Sequence, residues 1–491
     1  MELTRWMALQ NGSDIRGVAM GDQPDLNRET AGAIGRAFGM QLRRATGKLE
    51  PLATVGYDSR LTGPALAQAL ADGLAAEGCR VLMTGLSSTP SMFMTCVDGT
   101  LPADGAVMVT ASHLPPERNG FKFFTPEGGL ASREIRELLQ QAAICEPPRQ
   151  SKAHEVQPCL PAYSAFLRER ICAWTGERHP LAGLRILVDA GGGAGGFYAS
   201  MVLARLGADV EGSLYLEPDG TFAGHLPNPE QEGTLSALAA AVLEREADLG
   251  IAFDTDVDRA ALVDRDGRIL NRNRLIALIS AVLAPDHPRG VIVTDSITST
   301  GLARFIEAQG MRHHRFKRGY KNVIDEARRL CDEGRDAPLA IETSGHAAMR
   351  ENYFLDDGAY LVTRLLAALV AQHRRGERLT SLIEGLQEPA ESIERRIRFT
   401  TADFAAEGAR ILDDLRRYVA EQEGLLLEPN NFEGVRVNVS PAAGEGWFML
   451  RMSLHDPVLA VNIESERAGG AAQINDLLIG FLSRYQELLA L

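Results

Sequence analysis

The sequence predicts a multidomain α/β protein that ends in a smaller α+β domain. Short apolar runs with a strand pattern alternate with helical patterns for most of the length, which is typical of α/β units with mostly parallel sheets. The chain has 491 residues, and because a single domain usually has roughly 100–200, we expect three or four. After about residue 388 the pattern changes to closely spaced strands flanked by helices, which predicts the α+β domain.

The predicted elements follow one another in a regular order. Strands are predicted over 52–58, 104–112, 184–190, 247–254, 290–296 and 337–343, and helices over 63–78, 132–143 and 301–310. The final part has predicted strands over 393–400, 434–440, 447–454 and 459–465. Since open α/β sheets bind ligands at the carboxyl ends of their strands, the loops after these strands are expected to carry the chemistry.

Domain boundaries are predicted from composition and from the restart of the strand and helix pattern. Polar, proline-containing stretches over 145–163 and 385–392 are typical of linkers, and the pattern restarts after about residue 268. The predicted domains are 1–152, 153–268, 269–388 and 389–491.

Composition excludes several classes of protein. The formal net charge of −14 argues against a nucleic-acid partner, which would need a basic surface. The sequence has neither a long apolar run typical of a membrane helix nor a start typical of a signal peptide, so we expect a cytoplasmic protein without a membrane partner. Six cysteines without CxxC spacing suit neither a disulfide framework nor a thiolate metal site.

The first chemical motif is a serine at the end of an apolar strand. In TASHLPPERNGFK, Ser112 is followed by His113, two prolines, a predicted Asn119-Gly120 turn and Lys122. Ser112 is a candidate nucleophile, although a serine and a histidine can also simply occupy a loop. A hydrolase nucleophile elbow would need GxSxG, which is absent here.

The second motif is a set of carboxylates after another apolar strand. FDTDVDR contains Asp254, Asp256 and Asp258, which in extended backbone would point the same way and converge. An all-oxygen ligand set suits a hard cation such as Mg²⁺, and Arg259 beside it could hold a phosphate oxygen. An EF-hand loop is excluded because its glycine and glutamate positions carry Arg259 and Arg265. The alternative is a solvated acidic turn.

Two further loops are less specific. ETSGH places Glu342, Ser344 and His346 after a strand, and such side chains suit vicinal sugar hydroxyls, although a structural turn is as good an interpretation.

DAGGGAGG contains a GxGxxG pattern that would support a dinucleotide-dependent oxidoreductase. Because a glycine-rich run satisfies this pattern easily, we favour a tight strand-to-helix turn.

These loops, in this order, resemble the α-D-phosphohexomutase superfamily, which includes phosphomannomutases, phosphoglucomutases and phosphoglucosamine mutases. The resemblance covers nearly the whole chain. The matching motifs are NGSDIRG with Arg16, VGYDSR, LSSTPS, TASH, PDGTFAGHLPNPE, FDTDVDR and ETSGH.

The resemblance implies a four-domain architecture, three α/β domains and a smaller α+β one, around a central cleft. It implies a phosphohexomutase that interconverts hexose 1-phosphate and hexose 6-phosphate through a phosphoserine at Ser112 and a hexose 1,6-bisphosphate. Mg²⁺ would be held by the three aspartates and Ser112. His113, Lys122, Arg16 and Arg259 would serve catalysis, and Glu342, Ser344 and His346 would bind the sugar.

The sequence departs from the superfamily pattern at two positions. KRGYKN stands where many members have a histidine, so Tyr320 or Lys321 is expected to face the substrate. RMSLHDP replaces the usual RPSGTEP phosphate loop of the last domain, and it keeps Arg451 and Ser453 but has His455 in place of threonine.

The favoured hypothesis is a mutase for mannose and glucose phosphates, acting on a small phosphosugar as a monomer or homodimer. Phosphoglucosamine mutase is the alternative within the superfamily. A phosphosugar-binding protein without turnover and an oxidoreductase are the alternatives outside it.

Overall fold

The computed structural model describes residues 3–99, 101–401, 403–453 and 456–490. The chain forms two compact units, Met1–Asn271 with Ser344–Ser381 and Arg272–Thr343 with Leu382–Leu491. Three α/β stretches are followed by a sheet domain, which confirms the predicted fold class. Within the described ranges, no helix is both long and apolar enough to cross a membrane. The exact domain boundaries stay a prediction.

The first stretch, in the first unit, is an eight-stranded mixed sheet with five helices. The helices are α1 (Leu3–Met7), α2 (Arg28–Thr46), α3 (Gly63–Ala76), α4 (Thr89–Val97) and α5 (Ser132–Ala142). The strands are β1 (Gln10–Asn11), β2 (Asp14–Val18), β3 (Leu52–Tyr57), β4 (Arg80–Leu86), β5 (Gly105–Val109), β6 (Arg118–Thr125), β7 (Gly128–Gly129) and β8 (Glu155–Val156).

The strand order is β1-β2-β6-β5-β3-β4-β8, with β7 paired to β6. The central strands β5, β3, β4 and β8 are parallel, whereas β2 and β6 are antiparallel additions. Helices α2 and α3 pack with their backbones unusually close, because a Cβ on Gly35 would lie 2.1 Å from Leu70 O. Any larger residue at position 35 would therefore push these helices apart.

The second stretch, also in the first unit, is a four-stranded sheet in the order β12-β11-β10-β9. Its elements are α6 (Leu160–Thr175), β9 (Ile186–Asp189), a π-helix (Tyr198–Leu203), α7 (Glu232–Glu244), β10 (Leu249–Phe253), β11 (Ala260–Asp264) and β12 (Ile269–Leu270). Strands β9 and β10 are parallel, and β10 and β11 form an antiparallel hairpin.

The third stretch divides between the units. In the second unit it contains α8 (Arg272–Leu283), β13 (Val291–Thr294), α9 (Thr300–Ala308), β14 (Arg312–Arg315), α10 (Tyr320–Asp332) and β15 (Leu339–Ile341). Strands β14, β13 and β15 are parallel neighbours. In the first unit it contains the antiparallel pair β16 (Ala347–Met349) and β17 (Leu355–Asp356), followed by α11 (Gly358–Arg374).

The last stretch, in the second unit, is an antiparallel sheet in the order β19-β20-β21-β22-β18-β23. Its elements are β18 (Glu391–Phe399), α12 (Phe404–Glu421), β19 (Leu425–Leu427), β20 (Val435–Val439), β21 (Gly446–Met452), β22 (Val458–Ser465), α13 (Gly470–Leu482) and β23 (Leu489–Ala490). One apolar core joins the sheet to α12 and α13. The strands predicted here from the sequence are confirmed.

Candidate active site

Ser112 lies in the loop between β5 and the antiparallel strand β6. Its backbone is left-handed, with φ of +50°, and this unfavourable conformation is held by a hydrogen bond from its N–H to Thr110 Oγ1 at 2.9 Å. The Oγ donates to Asp254 Oδ2 at 2.8 Å and accepts from Arg259 Nη2 at 3.1 Å. The predicted serine and the predicted carboxylate loop therefore meet in the first unit.

The Asn119-Gly120 turn predicted in this loop is wrong. Both residues lie inside β6, and the chain reverses earlier, where Arg118 N–H donates to Pro115 O. Glycine is needed at 120 because a Cβ there would lie 2.2 Å from Ile15 O on the neighbouring strand β2. As a result Lys122 sits on a strand, where its position relative to the serine loop is fixed.

Arg60 anchors the serine loop, a role that the sequence did not indicate. Its guanidinium is buried and donates to the backbone carbonyls of Ser112 (2.5 Å), Leu114 (2.5 Å), Pro115 (2.7 Å) and Arg118 (2.9 Å). Asp58 lies 3.3 Å from Arg60 Nε, and the Phe222 ring covers the guanidinium. The five donors of an arginine fork can satisfy several carbonyls at once.

We expect Arg60→Ala to lower the free energy of unfolding by about 3–5 kcal/mol, because it leaves buried carbonyls and Asp58 without their cation. Arg60→Lys should recover only part of this, since one ammonium cannot reach four carbonyls. Denaturant unfolding would measure both changes. Arg80→Ala is the matched control, because its side chain is 62% exposed and should cost less than about 1 kcal/mol. An Arg60→Ala protein as stable as the control would contradict the anchoring role.

The three predicted carboxylates do converge, but for a different reason from the one expected. Asp254, Asp256 and Asp258 are buried and offer carboxylate oxygens within 4.8 Å of one another. They lie in the tight connection of the β10–β11 hairpin, where Val257 adopts φ of +68°. A left-handed turn, rather than alternation along an extended strand, brings the three side chains together.

The donor set of this cluster fits a hard divalent cation. Among the described residues, Asp256 Oδ1 and Asp258 Oδ1 are buried and have no hydrogen-bond partner. Buried carboxylate oxygens without a partner are costly unless a cation binds them. Asp254, Asp256 and Asp258 supply only oxygen ligands, which Mg²⁺ prefers.

Two cations of the chain accompany the cluster. Lys122 Nζ donates to Asp256 Oδ2 at 2.9 Å and also contacts Asp258 Oδ2. Arg259 Nε donates to Asp254 Oδ2 at 3.1 Å. Burial would lower the pKa of Lys122, but the carboxylates of Asp256 and Asp258 raise it well above its usual value, so it stays charged.

Arg259 also connects the cluster to the last residue of the PDGTFAGHLPNPE motif, for which the sequence indicated no role. Its Nη1 lies 3.4 Å from Glu230 Oε2, in the PNPE segment before α7. The glycine-rich turn after β9 packs behind the same loop: Ala194 N–H donates to Thr255 O, and a Cβ on Gly193 would lie 2.8 Å from Thr255. Close packing against the aspartate loop is therefore the reason for glycine in this turn, and a bound dinucleotide is not needed to explain it.

His113 Nδ1 lies 3.4 Å from Ser112 Oγ, and Arg16 contacts the chain two residues before the serine. Burial, together with Arg259 and Arg16, lowers the pKa of His113 to about 3, so its imidazole is neutral at physiological pH. Arg16 donates to Asp14 Oδ2 at 2.8 Å and to Thr110 O at 2.5 Å. Their catalytic roles stay a prediction.

The predicted sugar-loop residues have well-defined partners. In the first unit, His346 Nδ1 lies 2.6 Å from Asp356 Oδ2 and 3.7 Å from Asp258 Oδ1, and Ser344 is buried. Burial would lower the pKa of His346, but Asp356 and Asp258 raise it to about 9. In the second unit, Glu342 Oε1 accepts from Gly319 N–H at 2.6 Å. Their contacts with a sugar stay a prediction.

The remaining predicted residues lie in the second unit. Tyr320 and Lys321 begin α10, and Lys321 Nζ donates to Asp325 Oδ1 at 2.5 Å. Arg451 is near the end of β21, and its Nη1 lies 3.9 Å from Glu433 Oε1. Ser453 is the first residue after this strand. His455 lies outside the described residues.

Comparison with known proteins identifies the family. The chain matches the α/β/α domains I, II and III of phosphoglucomutase/phosphomannomutase over residues 7–146, 161–267 and 271–389. It is 32% identical to the phosphomannomutase/phosphoglucomutase of Pseudomonas aeruginosa over 454 residues, covering 92% of this chain and 90% of that protein. The chain belongs to the phosphoglucomutase/phosphomannomutase family.

Other members of the family are similar over the same length. The phosphoglucomutase/phosphomannomutase of Thermococcus kodakarensis is 27% identical over 95% of this chain and 97% of its own. The crystal structure of a family protein from Burkholderia thailandensis superposes with a TM-score of 0.81 at 29% identity, covering 98% of each chain. The resemblance to the α-D-phosphohexomutase superfamily is therefore confirmed, and the chain is an enzyme of this family rather than a dinucleotide-dependent oxidoreductase.

Proposed function

We propose that this enzyme is a magnesium-dependent phosphohexomutase that interconverts the 1-phosphate and 6-phosphate of mannose and glucose. The observation that carries the proposal is the position of Ser112 Oγ, between a carboxylate of the acidic cluster and the Arg259 guanidinium. Membership of the family and the names of its relatives support the substrate class.

In the proposed reaction Ser112 is the carrier of the transferred phosphate. The hydroxyl oxygen of a hexose monophosphate forms the new P–O bond, the P–Oγ bond of phosphoserine breaks, and the hydroxyl proton ends on Ser112 Oγ. A hexose 1,6-bisphosphate is the intermediate, and transfer of its other phosphate back to Ser112 completes the mutase cycle.

The side chains around Ser112 suit this transfer. Positioning and charge stabilisation are the main demands of phosphoryl transfer. Arg259 Nη2, already on Ser112 Oγ, would hold an oxygen of the transferring group. Mg²⁺ held by Asp254, Asp256, Asp258 and a phosphoserine oxygen would supply further positive charge. Lys122, which stays charged beside Asp256 and Asp258, would assist proton transfer.

A coupled assay with purified enzyme tests the proposal. Mannose 1-phosphate and glucose 1-phosphate, each with catalytic hexose 1,6-bisphosphate and Mg²⁺, should be converted to the 6-phosphates. Glucosamine 1-phosphate should react more slowly. Preferred turnover of glucosamine 1-phosphate would favour the phosphoglucosamine mutase alternative, and binding of all three without conversion would contradict a mutase.

Arg451 is proposed to bind the phosphate that is not being transferred. Its side chain is only 11% exposed, and among the described residues its Nε has no hydrogen-bond partner. Nearby, Glu433 is held by Ser296 Oγ at 2.6 Å and by Arg318 N–H at 3.0 Å. Arg451 therefore presents a partly buried guanidinium with an unused donor, which suits a phosphate.

We expect Arg451→Ala to lower kcat/KM by at least one to two orders of magnitude. Loss of one member of a buried charged pair costs about 2–5 kcal/mol, and about 1.4 kcal/mol corresponds to a factor of ten. Arg451→Lys should be impaired too, because it lacks the bidentate fork. Phosphorylation of Ser112 by bisphosphate should remain detectable in both.

Steady-state kinetics would measure these effects. Arg395→Ala is the control, because this arginine is exposed on β18 of the same antiparallel sheet, donates to Asn475 Oδ1 at 3.0 Å and should leave kcat/KM nearly unchanged. Near wild-type kinetics for Arg451→Ala would mean that the phosphate binds elsewhere.

A further inference from the structure

Thr89, the threonine of the LSSTPS motif, makes two contacts with the acidic cluster that the motif itself did not indicate. It is the first residue of α4, directly after the N-cap Ser88, and it is buried. Its backbone N–H donates to Asp256 O at 2.8 Å, and its Oγ1 donates to Asp256 Oδ2 at 2.5 Å. One residue from the first stretch thus holds both the backbone and the side chain of an aspartate in the second.

Two side-chain donors on the same oxygen leave the other carboxylate oxygen of Asp256 available. Oδ2 accepts from both Thr89 Oγ1 and Lys122 Nζ, whereas Oδ1 has no hydrogen-bond partner among the described residues. Together with Lys122 Nζ, the Thr89 hydroxyl therefore holds the carboxylate in an orientation in which Oδ1 has no donor among the described residues. Replacing a residue that orients a metal ligand in this way typically lowers the affinity for the metal about 10–100-fold.

The position of Thr89 is itself well fixed. Ser88 Oγ accepts from Ser91 N–H at 3.2 Å, and Ser91 Oγ accepts from Ser88 N–H at 2.9 Å, which closes a reciprocal cap at the start of α4. Because the backbone on both sides of Thr89 is constrained, its hydroxyl can move only by rotation about the side-chain χ1 bond. The helix start acts as a rigid support for the carboxylate.

We propose that Thr89 is a positioning residue for the divalent cation, which it serves by orienting Asp256. The inference rests on the proposed function, because it takes the acidic cluster as the cation site. Thr89 touches neither substrate nor cation in this account, and it acts through the carboxylate alone. It also ties cation binding to the stretch of chain that carries Ser112.

The test compares three substitutions in the purified, dephosphorylated enzyme. Thr89→Val removes the hydroxyl at nearly constant volume, and Thr89→Ser keeps it. Thr95→Val is the matched control, because Thr95 is also buried on α4 but bonds to Thr54 Oγ1 at 2.7 Å and Met92 O at 2.7 Å instead of Asp256. Mg²⁺ titration calorimetry gives the affinity without any turnover.

We expect Thr89→Val to weaken Mg²⁺ binding about 10–100-fold, with kcat partly restored at high Mg²⁺. Thr89→Ser and Thr95→Val should bind Mg²⁺ within about threefold of the wild type. Wild-type affinity in Thr89→Val would overturn the inference, and Thr89→Ala gives the same decision if the valine variant does not fold.

The failure of this inference is distinguishable from failure of the proposed function. If the wild type needs Mg²⁺ for mutase activity but Thr89→Val binds it normally, only the role of Thr89 is wrong. If the wild type has no mutase activity with any hexose phosphate, the proposed function is wrong, whatever the Mg²⁺ affinities are.

Discussion

Replacing Ser112 by alanine is expected to lower mutase turnover by at least about three orders of magnitude, because removal of a covalent carrier eliminates its reaction path. The loop itself should survive, since Arg60 and Thr110 hold it through contacts that do not involve the Ser112 hydroxyl. The coupled assay measures the rate, and intact mass should show no phosphate taken up from bisphosphate at this loop.

Ser280→Ala is the matched control for this substitution. Ser280 is also buried, but its Oγ donates to Ile276 O of its own helix, so turnover should stay close to the wild type. Full activity in Ser112→Ala would show that phosphate is carried elsewhere.

Removing the cation is expected to lower mutase turnover about as much as Ser112→Ala does. Excess chelator should abolish turnover, and added Mg²⁺ should restore it, because the buried oxygens of Asp256 and Asp258 then lose the cation that they would bind. Asp258→Asn should lower kcat at least about 100-fold, since it removes one of the three charged ligands and the carboxylate that contacts Lys122.

Asp266→Asn serves as the control for the aspartate substitution. Asp266 follows the same hairpin, but its side chain is 39% exposed and pairs with Arg378 on the surface. Its replacement should change neither Mg²⁺ affinity nor kcat. Undiminished turnover of the wild type in excess chelator would rule out the metal role.

The sequence predicted the strands and their functional loops well, because these depend on local patterns. The apolar run before Ser112 and the one before Asp254 are β5 and β10, and the loops after them hold the candidate site residues. The superfamily resemblance then predicted that these two loops meet, which Ser112 Oγ and Asp254 Oδ2 confirm at 2.8 Å.

Local patterns failed where contacts between distant parts of the chain decide the conformation. Asn119-Gly120 has the sequence of a turn, but pairing with β2 makes it strand, and the close approach of Ile15 O requires the glycine. The aspartates converge through the left-handed turn at Val257, a valine that no propensity rule would place there.

The supporting residues of the site could not be predicted for the same reason. Arg60 is 52 residues from Ser112, and Thr89 is 167 residues from Asp256, so no sequence spacing connects them. Both lie in motifs that match the superfamily, VGYDSR and LSSTPS, but neither motif says which group its residue holds. Only the folded chain shows that the first holds the serine loop and the second holds a carboxylate of the cluster.

Phosphate transfer through Ser112 is the central claim, and it can be followed directly by mass spectrometry. The enzyme is incubated with hexose 1,6-bisphosphate carrying ¹⁸O-labelled phosphate, its peptides are mapped, and it is then chased with unlabelled hexose monophosphate. Label is expected on Ser112, followed by its transfer to the sugar within the time of one turnover. Label on another residue, or label on Ser112 that the sugar does not remove, would contradict this claim.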